Sequence, residues 1–273
     1  MQTPRRMPVV FFGHGSPMIA LETNDTTRAW ARIADAIGKP RAILMISAHW
    51  LTRGVAVTAM ERPKTIHDFG RFPQALFDVQ YPAPGDPALA ARVRDLLAPT
   101  PVIADTTEWG LDHGAWSVLC KAYPGADVPV VQLGMDASRP PAWHYEIGRK
   151  LAPLRDEGVL IVGSGNIVHN LGVMNWSARD GGEYDWAVRF NDAIRSAIAD
   201  DTPEAVVNYA AQGQDAALSV PNPDHYWPLL YVLGARSADD KVAFGPDHIE
   251  HGSLSMTTVV LGDLGDAEAR VAA

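Results

Sequence analysis

Apolar residues fall along this chain in two kinds of run. The first kind is short and nearly continuous, as in Pro8-Val9-Val10-Phe11, Arg41–Trp50, Gly54–Met60, Val128–Leu133 and Gly158–Gly165. A strand covered on both faces has no need to alternate apolar with polar positions, so these runs predict buried strands. Pro101–Ala104 and Leu254–Leu261 are weaker examples of the same pattern. The second kind recurs every three to four residues, the spacing of one helix face. Asn24 to Ile37 carries Trp30, Ile33, Ala34 and Ile37 in this way. Further helices are expected over Asp86–Leu97, where Pro87 suits a first turn that needs no N–H. The same pattern predicts helices at Ser117–Ala122, Pro141–Leu154, Asp185–Ile198 and Pro203–Ala211, and one from Asp224 onward with Leu229, Leu230 and Leu233 inward. Strands alternate with helices. The expectation is an α/β fold, a single domain over residues 1–273 with a mostly parallel central sheet and helices on both faces. Residues 61–85 break the alternation. Phe69, Phe72, Pro73, Phe77, Tyr81, Pro82 and Pro84 there predict a structured cap, not a flexible linker.

Composition narrows the reading. A chain of 273 residues, 47% of them apolar, suits a soluble globular domain. The net charge of −9 argues against a nucleic-acid partner, which requires basic patches. No apolar run approaches the roughly 18 residues of a membrane span. Arg5-Arg6 precedes an apolar run too short for a signal peptide, so none is expected. The single cysteine, Cys120, excludes an internal disulfide and fits a cytoplasmic setting.

The candidate chemistry lies in the 9 histidines. His14, His49 and His169 each follow or end an apolar strand run, and His113 and His225 occupy turns that lead into helices. The carboxyl ends of strands are where open α/β sheets bind ligands, and a parallel sheet gathers those ends along one edge. Imidazole suits zinc, iron, copper and nickel, and a few histidines with an open position make a catalytic site. Taken singly, each reads as a turn residue bonded to the backbone. Three strand-end histidines together favour a metal. Asp112 and Asp224, each beside a histidine, are placed to serve a second ring nitrogen or to bind the ion. Gly163-Ser164-Gly165-Asn166 lacks the lysine of a P-loop and reads as a tight turn that positions His169. Neither Ser16 nor Ser164 stands in a GxSxG elbow. Cys120 reads as core. His67, His144, His248 and His251 read as surface or loop residues.

The ordered segments GHGSP, SAHW, LDHGAW, GSGNIVHN and PDHYWPLL resemble those of the class III extradiol ring-cleavage dioxygenases, and among them the DOPA 4,5-dioxygenase group. The resemblance runs from about residue 8 to the last strand. It implies one divalent metal ion per chain, Fe(II) for ring cleavage, with Zn(II) often found in purified members. By the same resemblance His14, His49 and His225 are ligands, His225 standing where distant relatives place a glutamate. His169 matches the acid–base histidine and is also able to close on the metal. His113 matches the histidine that contacts substrate and oxygen. The implied reaction opens a catechol such as DOPA with O2 to a muconic semialdehyde. The implied partners are the small-molecule catechol and O2, with no nucleic acid and no membrane, in a monomer or small homo-oligomer. Two other readings stay open on the residues alone: a zinc hydrolase with His169 or His113 as base, and a metal-binding protein without catalysis on the same fold.

Overall fold

Val9–Gly13 (β1), Ala42–Thr52 (β2), Val55–Thr58 (β3), Val102–Asp105 (β4), Val130–Asp136 (β5), Val159–Gly165 (β6), Val242–Phe244 (β7) and Val259–Leu261 (β8) build one sheet. Their order across it is β4-β3-β5-β2-β6-β1-β8-β7. The computed structural model describes residues 6–178 and 181–264. The central strands β5, β2, β6 and β1 run parallel. The sheet turns antiparallel at β3 on one side and at β8 on the other. The α/β architecture with a parallel centre is the one the alternation predicts.

Both faces of the sheet are covered, which is why β1 is apolar at every position but its last. Val9 and Phe11 enter one core, Val10 and Phe12 the other. The second core also takes Trp30, Ile33 and Ala34 of Asp25–Ile37 (α1). The first takes Leu89, Val93 and Leu97 of Pro87–Leu97 (α2). His113–Ala122 (α3) packs on the α1 side. Pro141–Leu151 (α4), Asp185–Ala199 (α5) and Trp227–Gly234 (α6) pack on the α2 side. Burying each such Val, Leu or Phe side chain contributes roughly 1.5–3 kcal/mol.

Caps set the helix starts. Asn24 and Thr27 form a reciprocal capping box at α1, and Asp86 accepts the Leu89 N–H at α2. Helix α3 begins at His113, four residues before the apolar spacing suggests, because Asp112 caps it through the Ala115 N–H at 3.1 Å. Helix α4 stops at Leu151, short of the expected Leu154, since Pro153 has no N–H to continue it; a 3-10 turn follows. The helix expected over Pro203–Ala211 ends at Val207 and passes into a 3-10 turn. The expected strand Leu254–Leu261 is two pieces. Leu254–Ser255 pairs with Ile249–Glu250, and only β8 joins the main sheet. Between them the Ser255 and Thr257 hydroxyls donate to the Asn191 side chain, which bends the chain away from a single ladder. His144, expected at the surface, is fully buried on α4. It shares its face with the buried Ile147, Gly148 and Leu151, the i, i+3, i+4, i+7 pattern of a core-facing stripe.

Candidate metal centre and its cavity

β2, β6 and β1 are neighbours, and His14, His49 and His225 converge beyond their carboxyl ends. His14 follows β1, and its N–H donates to Gly165 O at 3.0 Å, at the end of β6. His49 lies in β2 where the pairing with β5 shifts register between Ile46 and Leu51, so the ring leaves the regular ladder. Asn166 ties the ends together: Nδ2 donates to His14 O and Ser255 O, and its own N–H donates to His225 O. Gly165 is required beside it, since a Cβ there would lie 2.1 Å from His225 O. Gly114 meets the same demand on the other side, where a Cβ would lie 2.8 Å from the His49 ring.

The hydrogen bonds fix one tautomer. Ser164 Oγ donates to Gly114 O at 2.6 Å, so it accepts from His14 Nδ1 at 2.9 Å. His14 Nδ1 therefore carries the proton and Nε2 is a bare acceptor. That Nε2 lies 3.2 Å from His49 Nε2. Two nitrogens bound tetrahedrally to one zinc ion stand about 3.4 Å apart. Ring nitrogens of His14, His49 and His225 all lie within 4.8 Å of one another. Buried, convergent, neutral nitrogens are the donor set that a borderline divalent ion takes, so these residues fit a metal. Burial holds the His14 and His225 rings well below the ordinary imidazole range, and their histidine neighbours add to the effect. His49 is lowered too, first by burial and then by His113, against the pull of Asp112, Asp68 and Asp224.

The other two predicted site histidines flank this trio. His169 stacks face to face on His225, with centroids 3.5 Å apart, and burial pushes its pKa down to about 4. It does not join the convergent nitrogens. His113 is the first residue of α3, with its ring 3.8 Å from that of His49. Asp112 holds that turn: Ser47 Oγ and the Gln132 amide donate to its carboxylate. Asp224 lies 3.4 Å from His225 Nδ1.

Asp68 was not among the sequence candidates. Its Oδ1 accepts the His113 backbone N–H at 2.9 Å. Its Oδ2 lies 2.9 Å from His113 Nδ1, a close but bent approach, and 3.6 Å from His49 Nδ1. Burial pushes this carboxyl up, but the bonds and charges of His113 and His49 outweigh that and leave it below the usual carboxylate range. With His49 and His113 it makes a second group of mutually close donors. Only its place in the aromatic segment 61–85 hinted at it.

All five histidines open onto one cavity of about 400 Å³. Phe69 and Phe72 of the expected cap line it, and the Phe69 ring stands 5.5 Å from that of His113. His251, read from sequence as a loop residue, also lines it. His248, half exposed, lies 3.5 Å from Glu250. His67 is bonded through Nε2 to Val79 O.

Fold and site define a class: an α/β protein with a candidate ion site of convergent imidazoles at the carboxyl ends of a parallel sheet, beneath an apolar cavity wide enough for an aromatic ring. Residues 10–262 match the family described as the catalytic LigB subunit of aromatic ring-opening dioxygenase. The chain is 53% identical to the 4,5-DOPA dioxygenase extradiol of Escherichia coli (strain K12), over 94% of this chain and 95% of that one. It is 39% identical to the 4,5-DOPA dioxygenase extradiol of Beta vulgaris, over 90% and 92% respectively. A crystal structure of an uncharacterized protein from Escherichia coli K12 superposes with a TM-score of 0.83 at 47% identity, covering 94% of this chain and 100% of that one. The chain belongs to the LigB family of aromatic ring-opening dioxygenases. It is a metal-dependent extradiol dioxygenase that takes a small-molecule substrate and O2. No helix among the described residues is long and apolar enough to cross a membrane.

Proposed function

We propose that this enzyme opens a catechol of the DOPA type to a muconic semialdehyde, with one Fe(II) held by His14, His49 and His225. The observation that carries the reading is the convergence of those three ring nitrogens on the cavity lined by Phe69 and Phe72. The names of the relatives supply the substrate class. When bound, the ion lowers the pKa of the catechol hydroxyls and brings the ring and O2 together. His169, neutral near pH 7, accepts the second hydroxyl proton on a ring nitrogen and later returns it. His113 donates a hydrogen bond to the charge that develops beside it. Phe69 and Phe72 exclude water and hold the flat ring.

Three neutral imidazoles leave the full double charge on the ion. Such a set favours a catecholate. It also lets zinc, above Fe(II) in the general affinity order, compete for the site. Protein purified in air is therefore expected to carry zinc, which has no redox chemistry, and to be inactive. Half-buried Cys120, the single cysteine, supports a reducing compartment such as the cytoplasm.

The test is metal exchange. Removing the metal and adding Fe(II) without air should give oxygen uptake and a new visible absorption with a catechol. If iron-loaded protein consumes no oxygen with a broad catechol panel while the zinc form hydrolyses an ester or amide, the reading is wrong.

A further inference from the structure

Asp68 has no part in the function just proposed, yet it approaches two of the histidines that do. In both cases its carboxylate meets Nδ1: that of His113 at 2.9 Å and that of His49 at 3.6 Å. The His113 backbone N–H occupies Oδ1, so Oδ2 is the atom turned to the rings. The side chain is 17% exposed, so its charge is poorly screened. A proton on each Nδ1 faces this carboxylate and leaves each Nε2 as the working atom. For His49 that is the atom 3.2 Å from His14 Nε2.

We propose that Asp68 is a positioning residue: it holds His113 as its Nδ1–H tautomer, fixes the angle at which His113 meets the substrate, and favours the same tautomer of His49 through its charge alone, 3.6 Å away. Its negative charge, 3.6 Å from His49 Nδ1, also offsets part of the positive charge that a three-imidazole set would leave on a bound ion. Carboxylates behind metal-binding histidines orient the ring and raise its basicity. The next residue, Phe69, is a wall of the cavity with its ring 5.5 Å from His113. The same segment thus supplies both a wall of the cavity and the carboxylate that orients His113. The proposal rests on the reading of His113 as the substrate-facing group.

Asp68→Asn tests it, because the amide is isosteric and presents an N–H where the carboxylate accepts. Its misdirected tautomer should lower kcat by about 10- to 100-fold with KM for the catechol little changed, and loosen the metal, read by chelator competition, about tenfold. In the diamagnetic zinc form, 15N NMR of labelled histidine should show His113 as Nδ1–H in the parent and shifted toward Nε2–H in Asp68→Asn. With metal saturating, Asp68→Asn combined with His113→Ala should have a kcat no lower than His113→Ala alone, since at full loading Asp68 acts on the reaction through His113. An unchanged His113 tautomer with near-normal kcat overturns the proposal. So does binding of two metal ions by the parent and one by Asp68→Ala, which would make Asp68 a ligand of a second ion. If the parent opens no catechol at all, the functional reading fails separately, and the NMR and metal-affinity results still judge Asp68.

Discussion

The same two strands carry a buried polar cluster at each end, and the two clusters are built on opposite rules. At the amino ends of β1 and β6, Arg155 is 1% exposed and every nitrogen of its guanidinium has an acceptor. Nε donates to Met7 O, and Nη1 and Nη2 form a fork onto Asp240 at 2.6 and 2.7 Å. At the carboxyl ends, His14 and His225 are as deeply buried, but His225 Nδ1 has no hydrogen-bond partner and His14 Nε2 faces another ring nitrogen. One cluster is charged and saturated. The other is neutral and open. A saturated buried charge fastens a chain, because removing either member strands the other. Open neutral bases stabilise nothing by themselves, and their cost is offset only when a cation arrives.

Breaking the open end should have the largest effect on function and the smallest on the fold. His14→Ala is expected to lose tight metal binding and all measurable ring opening. The metal-free variant should melt no lower than the metal-free parent, because a desolvated imidazole has gone. Metal analysis and calorimetry on both proteins check this. Full metal content in His14→Ala would remove it from the ligand set.

Breaking the saturated end should do the reverse. Arg155→Met leaves Asp240 buried without its partner and should cost about 3–5 kcal/mol in denaturant unfolding, with metal stoichiometry unchanged. Adding Asp240→Leu should recover much of that loss. If Arg155→Met alone were neutral, the pair would not fasten the ends of β1 and β6. His113→Ala stands between the two clusters in kind. It should keep its metal and its stability but lose about 100- to 1000-fold in turnover. An iron-loaded variant with near-normal rate would show the ring to be structural.

The contrast also explains what the sequence made legible. His14, His49 and His169 each follow or end an apolar run, and such a run marks a strand and the region of its carboxyl end, although β2 continues past His49 to Thr52 and β6 stops at Gly165, four residues before His169. Those positions could be read without coordinates. His113 and His225 were legible through the segments LDHGAW and PDHYWPLL. Asp68 was not, because its link to His113 joins residues 45 apart through a segment with no periodicity. Strand β7 was missed for a related reason: it is three half-buried residues at the sheet edge, too short to show a pattern. Arg155 and Asp240 escaped notice as well, since two charged residues 85 apart carry no local sign of being buried together. His144 was legible and misread. Its spacing to Ile147 and Leu151 already placed it on the inner face of α4.

His144 gives the finest comparison, because it has the chemistry of the open cluster without its function. It is buried against Trp227, ring centroids 4.2 Å apart, and Nδ1 lies 2.9 Å from the Tyr231 hydroxyl. Burial lowers its pKa to about 4. An unfolded histidine titrates near 6.5. Between those values the unfolded chain binds a proton that the folded chain refuses, so stability falls as pH falls through that window. Each such histidine contributes at most about 1.4 kcal/mol per pH unit. His169, also near 4, and the more deeply lowered His14 and His225 act in the same direction in the metal-free protein. Metal-free protein should therefore lose stability steeply from pH 6.5 toward 4, and zinc should shift that loss to lower pH. His144→Phe should flatten the slope by about one histidine's share and leave the shift caused by zinc unchanged. Urea unfolding at a series of pH values, with and without zinc, measures both. An unaltered slope in His144→Phe would mean that folding leaves the His144 pKa unshifted, and acid sensitivity would then belong to the metal cluster alone.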